Sequence, residues 1–280
     1  MERALQNNPY TASMTWYASD GVTLADPGVV TVDIVRDDGT VLVDDGATAG
    51  AGATARTYAL TAALHTDDLD LLTVTWTSTL GERKSYIEVV GGYLFTVADA
   101  RAMSPLADTS KYPTAKIEAV RTLVEEAIED ACGVAFVPRY RRETLSGTGL
   151  QDLPLSRARI RSVRSASVDG TALTSTELAE LDIHSARYLN WSNYWDTGYG
   201  NVIVGYEHGF DYPPARIARA ALLLAKRWLV DGPIDDRATS LVTEDGTFSL
   251  TTPGIRGAMF DLPEVNAAIE EYSYAGHQVG

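Results

Sequence analysis

Through residues 12–90 the sequence switches between apolar and polar at almost every step, and this period of two is the tightest constraint on what the chain can form. The runs SMTWYA, VVTVDIV, TVLV, ARTYAL, LLTVTW and SYIEVV are rich in β-branched and aromatic residues, and DG, DPG and DDG punctuate them. A period of two sends successive side chains to opposite faces, so each run predicts a half-buried strand. Short strands between turn signals predict an antiparallel sandwich. Residues 1–92 are therefore expected to be an all-β, immunoglobulin-like sandwich. Through residue 98 there are five Lys and Arg against thirteen Asp and Glu, more than half of the chain's net charge of −15. Such a surface suits a soluble, outward-facing module.

The pattern changes at Gly91-Gly92. Thr96 and Asp99 are spaced as a capping box for a short helix. In PTAKIEAVRTLVEEAIEDACG the apolar residues Ile117, Val120, Val124, Ile128 and Ala131 recur at helical spacing, and Gly133 is placed for a left-handed cap. Glu125, Glu126, Glu129 and Asp130 crowd the negative end of that helix's dipole and call for a cationic partner. Another helix is predicted from Pro213-Pro214 to the breaker Asp231-Gly232-Pro233. At 100° per residue, Arg216, Arg219, Lys226 and Arg227 fall within an arc of about 100° on it, and nearly everything else around it is apolar. A helix so apolar needs cover on most sides, which points to subunit contacts. Asp261 and Glu264 around Pro263 predict a last capped helix through Tyr272. SVRSASVDG and NVIVGYEHG predict a small sheet beside the helices. The expected fold class is α+β: the sandwich, then a mainly α-helical domain over residues 93–280 with a small sheet and a long loop.

That loop, DDRATSLVTEDGTFSLTTPGIRG (235–257), is longer than a compact domain usually tolerates unless the segment is functional. TSLVT and TFSLT flank Glu244-Asp245-Gly246 as a hairpin. Leu241, Val242, Phe248, Leu250 and Ile255 are its large apolar residues, too few to offset the ordering of its backbone without outside contacts.

Composition narrows the function. At 280 residues and 45% hydrophobic content the chain can bury a substantial core. Its net negative charge argues against a protein that wraps duplex DNA. Cys132 has no internal disulfide partner, and MERALQNNPY lacks a secretory signal's apolar stretch, so synthesis in the cytoplasm is expected. No apolar run approaches the length that spans a bilayer. The four histidines have no zinc spacing, and no nucleophile elbow or P-loop is present. Glu207-His208 with Asp211 could hold a metal or act as a base, but a structural hydrogen-bonding role is favoured. No catalytic, metal or cofactor residue is assigned, and the chain is not expected to be an enzyme.

Two groups stand out as contact candidates. Arg139, Arg141, Arg142, Arg157, Arg159, Arg161 and Arg164 have only Glu143 and Asp152 as nearby acids in the sequence. Arginine suits phosphate and carboxylate alike, and the negative chain favours pairing with acids of another subunit or partner over DNA. Tyr188, Trp191, Tyr194, Trp195 and Tyr199 either form a contact surface or pack a loop onto its own core.

Residues 112–273 resemble the head-to-tail connector or adaptor proteins of tailed bacteriophages, above all those of actinobacteriophages. The phrases that carry the likeness are AIEDACG, VIVGYEHGFDYPPARIARAALLLAKRWLVDGPIDDRATS, EDGTFSLTTPGIRG and FDLPEVNAAIEEY. The resemblance implies a virion neck protein without catalytic residues, forming a ring, usually dodecameric, docked under the portal. A stopper or tail protein would follow it, and genomic DNA would pass through the lumen without sequence recognition. It further implies that residues 235–257 are an arm clasping neighbours. The β-rich N-terminal part departs from smaller adaptors. An alternative is an immunoglobulin-like binding or decoration protein whose first part recognises a host or capsid surface.

Overall fold

The computed structural model describes residues 1–50, 52–184, 187–230, 240–243, 246–249 and 260–273, with the backbone alone for 240–243 and 246–249. The chain groups into two compact units. One comprises residues 1–92 and 138–209, the other residues 93–137 and 210–280.

The first unit opens with β1 (Glu2–Leu5), β2 (Tyr10–Thr15), β3 (Val30–Arg36), β4 (Val41–Ala47), β5 (Ala49–Gly50), β6 (Ala55–Leu60), β7 (Asp70–Ser78) and β8 (Gly81–Val90). They form a five-stranded sheet, β1-β8-β7-β3-β4, and a three-stranded sheet, β2-β6-β5. All pairs are antiparallel except β1 with β8. The expected alternation sets the core. Val30, Val32 and Ile34 of β3, with Leu72, Val74 and Trp76 of β7, pack with Ala12 of β2, Leu60 of β6 and Trp16. The β3–β4 turn closes through Arg36 N to Thr40 O at 2.9 Å, with Gly39 at φ 94°, a value a side chain would strain.

Helices α1 (Val97–Arg101) and α2 (Thr114–Cys132) belong to the second unit. The Thr96–Asp99 capping box forms, and Gly133 caps α2 at φ 68° as its position in the sequence predicts. The carboxylates crowding the end of α2 take backbone donors: Leu94 N lies 2.7 Å from Glu125 Oε1, and Phe136 N 3.3 Å from Glu129 Oε1.

The chain then returns to the first unit as β9 (Arg139–Leu145), β10 (Asp152–Pro154), β11 (Ile160–Val168), β12 (Thr171–Ala172), α3 (Ser175–Ala179), β13 (Asp182–His184), β14 (Tyr188–Asn190) and β15 (Val202–His208). The sheets are β12-β11-β15-β9 and β10-β14-β13. Val202, Val204 and Tyr206, alternate residues of β15, pack with Leu153, Leu189 and Trp195 into a second core. Finally α4 (Ala215–Leu229), the hairpin strands β16 (Ser240–Thr243) and β17 (Gly246–Ser249), and α5 (Pro263–Tyr272) complete the second unit.

The fold class needs correction. The chain is mostly β, and residues 93–280 are not a mainly helical domain: nine strands, β9–β17, stand among its described elements, and α1 and α3 are five residues each. The physical reason lies in residues 139–208, where Arg and Glu are interleaved along the strands, some of them, such as Arg139 and Glu143, at buried positions. That interleaving hides a period of two that polar residues obey as well as apolar ones. The last helix also starts differently from expectation. Leu262 is its N-cap without a side-chain hydrogen bond, Pro263 sets the first turn, and Asp261 pairs with Arg227 instead of capping. No described helix is long and apolar enough to cross a membrane.

Candidate assembly surfaces

The arginines of the first unit meet acids delivered from distant parts of its own sequence. Arg139 Nη1 lies 2.5 Å from Glu88 Oε2, and Arg3 Nε approaches the same oxygen at 3.2 Å, all three side chains being nearly buried. Arg164 grips Glu207 Oε1 through Nε and Nη2 at 2.8 and 2.6 Å and donates through Nη1 to Leu69 O at 2.7 Å. Arg141 Nε lies 3.3 Å from Glu143, and Arg142 Nη1 donates to Asp37 O at 3.1 Å. Among the candidate contact arginines, Arg139 is interior while Arg141 and Arg142 remain at the surface.

The two tryptophans are also inside. Trp195 is fully buried and Trp191 nearly so; their rings lie 5.1 Å apart, and Trp195 Nε1 donates to Gln151 O at 2.9 Å. Tyr188, Tyr194 and Tyr199 of the same stretch are exposed.

Glu207 and His208 are consecutive on β15, so their side chains leave opposite faces of the strand and do not converge. Glu207 is tied to Arg164. His208 is buried, its Nδ1 has no hydrogen-bond partner among the described residues, and burial, reinforced by the charges of Arg157, Arg139 and Arg141, pushes its pKa down to about 3. It is neutral at physiological pH. Nearby, Glu143 accepts from Tyr206 Oη at 2.7 Å, from Ser156 N at 3.1 Å and from Ser156 Oγ. Burial opposes its ionisation, but the Ser156 and Tyr206 donors outweigh that and hold the carboxyl below its ordinary value. A carboxylate with this many donors is a structural node joining β9, β15 and the segment before β11. Among the described residues no group of three acids, histidines or cysteines could hold a metal ion.

The second unit is organised differently. On α4, Ile217, Ala220, Ala221, Leu224, Ala225 and Leu229 are buried, and the basic stripe lies on the opposite side. Arg216 pairs with Glu271 and Arg227 with Asp261 at 2.6 Å, both partners lying on or just before α5. Arg219 is exposed and Lys226 half-buried, and neither has an ion-pair partner among the described residues. The four cations are thus divided: two flank α5 and two stand clear of it.

Of the expected arm, the hairpin exists. Strands β16 and β17 pair antiparallel, with Leu241 opposite Phe248 and Val242 opposite Thr247. Among the described residues they pair with each other alone. Leu250 and Ile255 lie outside the described residues.

A further surface escaped the sequence reading. Tyr17, Val22, Leu24, Val29 and Leu80 are all exposed at one end of the sandwich. Tyr17 bridges to Leu24, and Thr79 Oγ1 donates to Pro27 O at 3.1 Å, joining the β2–β3 loop to the β7–β8 turn. Apolar residues inside GVTLADPGVV, a segment full of turn formers, were the available signal.

No protein-family model matches the chain, and no curated protein is significantly similar. Solved structures similar in part include two from gene transfer agent particles. One is from the neck of an empty gene transfer agent particle computed with C6 symmetry, 17% identical, with a TM-score of 0.41 over 64% of this chain and 89% of that one. The other is from the virion of a native gene transfer agent particle, 16% identical, with a TM-score of 0.43 over the same shares of the two chains.

Proposed function

We propose that this chain is a structural neck protein of a tailed-phage-like particle. It forms a ring of identical copies between portal and tail, and the genome passes through the lumen without being read. The observation that supports this best is the β16–β17 hairpin. A two-stranded hairpin is marginally stable alone in water, and its outer edges carry backbone groups suited to pairing with a strand of another chain. The phrases around it, GPIDDRATS and EDGTFSLTTPGIRG, are among those that resemble phage adaptors. Apolar cover and strand pairing from a neighbour or the portal would supply what five large apolar residues cannot. Arg219 and Lys226 are the cations left for a subunit contact or for the lumen wall.

Hydrogen exchange tests the reading. Amides of 240–243 and 246–249 should exchange fast in the isolated monomer and become strongly protected in the assembled particle. Equal strong protection in both states would make the segment an ordinary intradomain hairpin and remove the assembly arm.

The apolar end of the sandwich favours a second reading, in which the N-terminal immunoglobulin-like part recognises a host or capsid surface. Deleting residues 1–92 would not test this cleanly, because it strips Glu88 from buried Arg139. Val22→Asp with Leu24→Asp is the better probe: surface recognition would be lost with particle assembly intact.

A further inference from the structure

The two sheets of the N-terminal sandwich end in four outer strands, β1, β4, β2 and β5. Three of them are guarded. Strand β1 is four residues long and carries Glu2 and Arg3, β5 is two residues, and β4 carries Asp44 and Asp45 and shifts register twice against β3. Short length, charge and bulges are the usual devices that keep an edge from pairing with a foreign strand. Strand β2, YTASMT, has none of them: it is six residues, free of charge and proline, and pairs with β6 from Tyr10–Leu60 to Thr15–Ala55 without a shift. Just beyond it Trp16 N donates to Thr54 O at 2.9 Å, which fixes the phase of the ladder. In an antiparallel ladder alternate residues send both backbone groups to the same neighbour. Tyr10, Ala12 and Met14 therefore face β6, while Thr11, Ser13 and Thr15 turn their N–H and C=O groups outward. These three residues are exposed, and among the described residues no strand or loop pairs with their backbone.

We infer that the outward edge of β2 takes strand β17 of another copy of this chain, added antiparallel, so that the sheet continues from β6 through β2 into the neighbour's hairpin. The inference rests on the ring reading and names the acceptor of its arm. Within one chain β17 pairs with β16 and β2 with β6, so neither satisfies the other and each keeps one side open among the described residues. Both are uncharged. Residues 7–19 around β2 and 246–255 from β17 onward contain no Asp, Glu, Lys or Arg, so bringing them together strips water from no charge. Main-chain hydrogen bonds carry an added strand of this kind, and the outward groups of Thr11, Ser13 and Thr15 are what it would bind. Residues 231–239 lead from α4 to the hairpin and residues 250–259 from it toward α5. Each connection spans about 30 Å when extended, enough to carry the hairpin to a neighbouring copy. Because acceptor and arm are different surfaces of one chain, the contact is heterologous, and repetition of a heterologous contact closes into a ring when the rotation permits.

Three measurements on the full-length protein decide the matter. In hydrogen exchange the amides of Thr11, Ser13 and Thr15 should be fast in the monomer and protected in the assembly. Ser13→Pro removes one outward donor and none of the bonds to β6, a place where an edge strand accepts proline. It should raise the concentration for half-assembly, read by sedimentation, about tenfold, the equivalent of one or two ladder hydrogen bonds. Circular dichroism and melting confirm the fold, and Ser13→Lys, which guards the edge with a charge, serves if the proline variant does not fold. For the occupant, Ser13→Cys protein is mixed with Thr247→Cys, Phe248→Cys or Ser249→Cys protein and treated with a short bis-maleimide. Chains that carry one substitution each can link only between copies, and the native Cys132 is buried. Fast exchange at the three amides in the assembly, or both Ser13 variants assembling like wild type, overturns the pairing and leaves the ring reading intact. Protection of the edge without any link to residues 247–249 gives the edge to another strand and overturns the hairpin as its occupant. Wild-type protein monomeric at every concentration and on the portal overturns both.

Discussion

Arg139 and Arg219 carry the same charge and are used in opposite ways. Arg139 stands on β9 with its side chain 6% exposed against Glu88, which it shares with Arg3. Arg219 stands on the open side of α4 with no ion-pair partner among the described residues. The first unit spends its cations on internal ties between distant strands: Arg36 to Asp67 and Asp70, Arg164 to Glu207, Arg139 to Glu88. The second unit ties two α4 cations to α5 and leaves two available. A count of arginines therefore says little about binding. Whether the fold has already brought an acid to each one decides it.

The largest effect expected from this contrast is at Glu88. Replacing it by Ala takes from two nearly buried guanidinium groups the carboxylate they share, and breaking a buried ion pair by removing one member typically costs about 3–5 kcal/mol. Urea denaturation should show a loss of that size. A loss below about 1 kcal/mol would mean that the triad is solvated and belongs with the surface pairs.

His208 gives the next test, through pH. Its unfolded pKa is near the ordinary 6.5, and in the fold burial and three arginine charges press it to about 3. Between those values the unfolded chain binds a proton that the folded chain refuses, so this group's contribution to stability is present above pH 6.5 and lost as pH falls toward 3. His208→Phe should remove that part of the acid sensitivity. The wild-type urea midpoint should drop further between pH 7 and pH 4.5 than the variant's, and identical drops would place the imidazole in contact with water.

Much of the first ninety residues was legible because burial there follows apolar identity. Val32, Ile34, Val74 and Trp76 fall on the inner face where a period of two puts them. The helix ends were legible for a similar reason, since Thr96, Asp99 and Gly133 act within one turn of themselves. What the arginines of residues 139–208 hold was not legible because their partners are remote. Glu88, Asp37 and Leu69 O, each far away in sequence, settle what Arg139, Arg142 and Arg164 do, and no local window contains them. Asp261 shows the same limit: a local rule made it a cap, and a residue 34 positions away made it an ion-pair partner.

The smallest expected effect sharpens the comparison most. Arg219→Ala removes a side chain that is exposed, has no ion-pair partner among the described residues, and lies on a helix whose packing stripe is elsewhere. Alanine is also the better helix former by a few tenths of a kcal/mol. Monomer stability should therefore stay within ~0.5 kcal/mol of wild type, while Arg139→Ala in the same assay should lose more, through the nearly buried ion pair with Glu88 that it breaks. If the α4 face is an assembly surface, Arg219→Ala should shift the assembly midpoint while leaving the urea midpoint of the monomer where it was. A monomer destabilised by more than about 1 kcal/mol would show instead that Arg219 is held by contacts within its own chain, and the distinction between spent and available cations would fail at the residue chosen to represent it.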